Sequence, residues 1–153
     1  MTAAPDFDWA AAHRHFAAHC FNAAWDLLDK SERTEEDNRQ MVALNMASLY
    51  HWSQRPDCTD TNRSVGYWQA SRIHAVLGLV DAARRYGETC LEFSHLLPPF
   101  YRGYAHEALA RAASLAGDRA WAAEHAARGR DYAAQVVDEA DRKRLLDDLA
   151  AFP

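Results

Sequence analysis

Leu77–Glu92 reads LGLVDAARRYGETCLE, and Leu115–Gly129 reads LAGDRAWAAEHAARG. The two stretches share a layout. A shift of 39 positions carries Arg72 onto Arg111, Gly78 onto Gly117 and Ala83 onto Ala122. In each copy a glycine closes one helix, where a left-handed residue costs least. Small side chains then open the next helix, where they let two antiparallel helices approach closely. A helical hairpin that repeats at a period of a few tens of residues marks an array of stacked repeats.

Outward from this pair the same pattern continues. Apolar residues recur at three- and four-residue spacing, and no stretch alternates apolar and polar with a period of two, so every element reads as an amphipathic helix. A first helix is expected from about Pro5 to Lys30, with Phe7, Phe16, Phe21, Trp25 and Leu28 on its apolar stripe. Thr34 is the expected N-cap of a second helix reaching about Trp52, with Asp37 three residues on as a variant of the capping box. The loop SQRPDCTDT follows, and Asp60 or Thr61 is expected to cap a third helix ending at Gly78. Further helices are expected over about 80–93, 100–116, 119–136 and 139–151, the last capped by Asp138. The 153 residues therefore read as a single all-α domain: antiparallel hairpins over about 5–53, 61–93 and 99–136, stacked as a short right-handed solenoid, with a capping helix over about 139–151.

The two quoted stretches, AGD above all, resemble the middle of tetratricopeptide repeats over roughly Arg63 to Tyr132. AAWDLLDK, YHW and HEALARA extend the likeness to a group of small bacterial tetratricopeptide-like proteins. The resemblance implies a fold of stacked helical hairpins and carries no activity with it.

Composition excludes several classes. A net charge of −5 argues against a general nucleic-acid binder, which needs a basic surface to displace counterions. No run of about 18 apolar residues exists, so no transmembrane helix is expected. The opening MTAAPDFDW lacks the basic and apolar segments of a secretion signal, so a cytoplasmic location is expected. Cys20, Cys58 and Cys90 form no CxxC pair and no disulfide framework, as suits a reducing compartment.

Chemical motifs are few. There is no GxxxxGK[ST], no GxGxxG and no GxSxG. HEALA begins like the zinc-protease HExxH, but Ala110 stands where the second histidine belongs, so that metal site fails. His15 and His19 stand at i and i+4, a spacing that can share a metal, yet the pair has no third ligand placed by the sequence. No cofactor is expected.

The stretch Tyr50–Arg72 gathers His51, Trp52, Trp68 and Arg72 in a chain otherwise rich in alanine. Trp68 and Arg72 are one helical turn apart on one face. Antiparallel packing is expected to bring His51, Trp52, Trp68 and Arg72 together, with Tyr104, His106 or Glu107 opposite. Indole and imidazole N–H groups demand partners when buried, which Phe and Leu do not. Glu107 and Arg111 form an i,i+4 pair, and Arg72 and Arg111 occupy equivalent repeat positions, where two guanidiniums can hold a carboxylate or phosphate.

Two functional expectations follow. The first is a non-catalytic binding module that holds a peptide or partner protein on a concave groove lined by Trp52, Trp68, Arg72, Tyr104, His106, Glu107 and Arg111. Self-association and a small anionic ligand are further expectations. The alternative is a small-molecule-binding protein or an enzyme with a closed pocket near His51, Trp68 and Arg72, in which His51 is the acid–base group and Glu107 its partner.

Overall fold

A computed structural model describes residues 6–153. The described residues form seven α-helices and no strand: α1 (Trp9–Leu28), α2 (Glu35–Ser53), α3 (Asp60–Val76), α4 (Val80–Ser94), α5 (Pro99–Leu115), α6 (Arg119–Ala133) and α7 (Glu139–Leu149). Among these residues no helix is long and apolar enough to cross a membrane. Neighbouring helices pack in pairs: α1 on α2, α3 on α4 and α5 on α6. The chain divides between Cys58 and Thr59 into two compact units, α1–α2 and α3–α7.

The helix boundaries follow from local chemistry. Pro5, the expected first-turn residue of α1, lies outside the described residues; Asp8 caps that helix by accepting from Ala11 N at 2.8 Å. The capping box at α2 is complete, with Asp37 N donating to Thr34 Oγ1 at 3.1 Å and Thr34 N to Asp37 Oδ2 at 2.9 Å. Helix α3 begins earlier than expected. Thr59, rather than Asp60 or Thr61, is its N-cap, because Asn62 can accept from Thr59 N at 2.9 Å. Asp118 and Asp138 cap α6 and α7 through Trp121 N and Asp141 N. Helix α6 stops at Ala133 rather than Val136, which frees Val136 to join an apolar cluster with Ala133, Leu145 and Leu149.

In the first unit, Ala17 faces Ser48, whose hydroxyl donates to the Ala17 carbonyl at 2.7 Å, and His13 faces His51. Rising number on α1 meets falling number on α2, so the pair is antiparallel. In the second unit, Ser64 meets Cys90 and Ser94, while Ser71 donates to the Ala83 carbonyl at 2.7 Å. Gly103 and Gly129 bring the α5 and α6 backbones together, and His106 meets His125. Both hairpins are again antiparallel.

These two hairpins are copies of each other. Gly78 and Gly117 close α3 and α5 with φ of +74° and +77°. The same bonds follow each: Leu79 N to His74 O at 2.9 Å, and Asp118 N to Ala113 O at 3.0 Å. The ring packing repeats as well. Tyr67 stacks with Tyr86 and Phe93, with Arg63 over Phe93 at 5.6 Å. One period on, His106 stacks with His125 and Tyr132, with Arg102 over Tyr132 at 5.7 Å. The hairpins stack through α4 on α5 and α3 on α5, and α7 closes the far side of α5–α6.

Candidate functional site

Because α3 and α5 pack side by side, residues at equivalent repeat positions face each other. Trp68 and Glu107 are 39 residues apart, and the Trp68 indole Nε1–H donates to Glu107 Oε2 at 2.9 Å. The Arg111 guanidinium Nη2 donates to the other carboxylate oxygen, Oε1. Glu107 is wholly buried, whereas the Arg111 side chain is 23% exposed. A carboxylate taken out of water keeps its charge at tolerable cost only when paired and hydrogen-bonded, and here each oxygen has a donor.

Around this centre lie half-buried groups from the same two helices. Tyr104 meets Trp68 edge-on at 5.5 Å, and its hydroxyl donates to Asp148 Oδ2 of α7 at 2.8 Å. Burial, and then the Asp148 carboxylate, push the Tyr104 phenol well above its usual range, so it stays a protonated donor. Arg72 lies 5.9 Å over the Trp68 ring, and Arg111 lies 5.4 Å over Phe152. The Arg111 Nε–H is buried and has no hydrogen-bond partner among the described residues.

Of the residues singled out in the sequence, the second unit thus gathers Trp68, Arg72, Tyr104, Glu107 and Arg111. His106 lies in the α5–α6 interface, where its Nδ1 and that of His125 share a hydrogen bond at 2.9 Å. Burial, then the neighbouring His125, push the His106 pKa down to about 4, and burial lowers His125 too. His51 and Trp52 belong to the first unit. His51 shares an Nδ1–Nδ1 hydrogen bond with His13 at 2.8 Å, and its pKa is lowered by burial and then by His13. Trp52 is covered by the Arg55 guanidinium at 4.0 Å. His15 and His19 stack at 5.3 Å on the exposed face of α1. Among the described residues no group of three or more His, Cys, Asp or Glu side chains is placed to hold a metal ion.

Sequence reasoning missed the two histidine pairs, the Tyr104–Asp148 bond and the grip of Arg130 on the carbonyls of Leu149, Phe152 and Pro153. One signal was present: carrying the 39-residue shift through every aromatic position lays Tyr67, Tyr86 and Phe93 on His106, His125 and Tyr132. The Trp68–Glu107 bond obeys the same shift. No family model, no curated protein and no solved structure matches the chain.

Proposed function

We propose that the protein is a non-catalytic binding module of the tetratricopeptide-like kind, holding a peptide segment of a partner protein on the face formed by α3 and α5. The observation that carries this reading is the arrangement around Glu107. Two guanidiniums and two aromatic rings stand half-buried about a satisfied carboxylate. Glu107 acts as the positioning residue: with both oxygens occupied it orients Trp68 and Arg111, whose remaining donors and ring faces meet the partner. Arginine and tryptophan at such positions are the side chains that dominate protein interfaces. The free thiols Cys20 and Cys90 favour work in the reducing cytoplasm.

Panning a random peptide library on the purified chain tests this. Enriched peptides should bind the wild type, and binding should fall about tenfold or more in Arg72→Ala and in Trp68→Phe variants that still melt cooperatively. The Arg128→Ala variant, altered at an exposed Glu124 pair on α6, should bind as the wild type does. No enrichment, or equal binding by all variants, sinks the reading.

A further inference from the structure

The first unit contains an arginine, Arg14, whose charge acts on Asp57 from a distance with no direct bond to it. Arg33 donates to backbone carbonyls of Leu28 and Lys30, Arg39 pairs with Glu36, and Arg55 pairs with Asp57. Arg14, exposed on α1, makes no ion pair and no hydrogen bond among the described residues. It lines a cleft of about 140 Å³ together with His13, Gln54, Arg55 and Asp57. The polar groups of this cleft are held in place from behind. His13 has its Nδ1 tied to His51 at 2.8 Å, which leaves Nε2 as its remaining ring nitrogen. Gln54 gives one amide hydrogen to Ser53 at 3.1 Å and keeps the other. Arg55 is locked by a forked bond onto Asp57, at 2.9 and 2.7 Å, and by the Trp52 ring beneath it.

We propose that this cleft binds a phosphate group, either as inorganic phosphate or as the phosphate of a small phosphomonoester. Two guanidinium charges outweigh the single carboxylate of Asp57, which Arg55 engages directly and Arg14 stabilises from a distance. The donors come from two elements, α1 and the loop after α2. That spread suits a tetrahedral anion with acceptors in several directions better than a planar carboxylate, which takes one fork. The cleft is smaller than the roughly 300–1,000 Å³ of pockets that enclose a whole metabolite, so it takes the anionic group alone. Trp9 and Tyr50 are 68% and 57% exposed, and their rings lie 6.3 and 6.0 Å from that of His13. They give a flat substituent on the phosphate a surface to stack against.

Calorimetric titration of the full chain at fixed ionic strength, with inorganic phosphate and separately with phenyl phosphate, tests the site. Saturable binding is expected. Arg14→Ala should weaken it about tenfold, Arg14→Lys should restore part of the loss, and Arg39→Ala should leave it unchanged. Tighter binding of phenyl phosphate identifies a phosphomonoester as the occupant, and equal binding identifies the free anion. Absence of saturation with both probes, or wild-type affinity in Arg14→Ala, overturns the proposal.

Discussion

Glu107 shows how much one buried charge can organise. Its two oxygens take donors from α3 and α5, so the carboxylate joins adjacent repeats as well as serving its own helix. Removing one partner leaves the charge stranded, which costs far more than an exposed i,i+4 pair stabilises. Arg111→Ala should therefore lower stability by roughly 3 kcal/mol in urea unfolding, and Glu107→Leu in the same chain should recover part of the loss. An equal loss in the double variant would refute the stranded-charge account. The His106–His125 pair makes a different demand, since burial disfavours an imidazolium. The His106 pKa stands at about 4 in the fold against 6.5 for a free side chain. Below 6.5 the unfolded chain binds the proton more readily, so the stabilisation is complete above that pH and is lost as pH falls toward 4. Arg128 and Arg84 add to the opposition, while Glu124 works the other way at His125. His106 alone should give a slope of about 1.4 kcal/mol per pH unit across this window. Replacing both histidines with the Tyr67–Tyr86 arrangement, as His106→Tyr with His125→Tyr, should flatten that slope in melts between pH 7 and 4.

At the scale of helices, α5 is the element on which the second unit is assembled. Its inner face carries Gly103, Ala105, Ala108, Leu109, Ala112 and Ala113, nearly all small and all buried. Small residues let α4, α6 and α3 come close, and α7 uses the same device more strictly. A Cβ at Gly129 would meet Leu149 Cδ2 at 2.8 Å, and one at Gly103 would meet Leu145. Ser64 and Cys90 occupy the equivalent positions of the preceding hairpin, where side chains fit. The glycines are thus the seats of two fully buried leucines. Leu149→Ala should cost roughly 3 kcal/mol through lost burial and an unfilled cavity. Gly129→Ala should cost less once Leu149 is alanine than it does alone, because the new methyl enters vacated space. Urea melts of the two single variants and the double variant decide this, and simple additivity would argue against the contact.

Over the whole molecule, the two compact units differ in how they use repetition. In α3–α6 one period governs caps, ring stacks and the cross-repeat carboxylate bond. The α1–α2 hairpin has its own register, set by Ser48 on Ala17 and His51 on His13. Both are built from alanine-rich faces with polar side chains satisfied on backbone carbonyls, such as Ser71 on Ala83. That composition favours close helix approach over bulky interdigitation.

What the residues determined unaided was local. Spacing of three and four made helices, Thr34 and Asp138 began two of them, and Gly78 and Gly117 ended two, because caps and positive φ depend on a few neighbouring atoms. The 39-residue shift also made α3–α4 and α5–α6 copies. Tertiary packing alone decided which side chains meet. Arg72 and Arg111 were equivalent in sequence, yet which partners each finds depends on how α3 lies on α5. His106 sits beside Glu107 in the chain, but a helix turns about 100° per residue, so His106 meets α6 while Glu107 meets α3. The Gly103 and Gly129 seats were invisible as well, since a glycine shows its purpose only when the leucine that fills the space is in view.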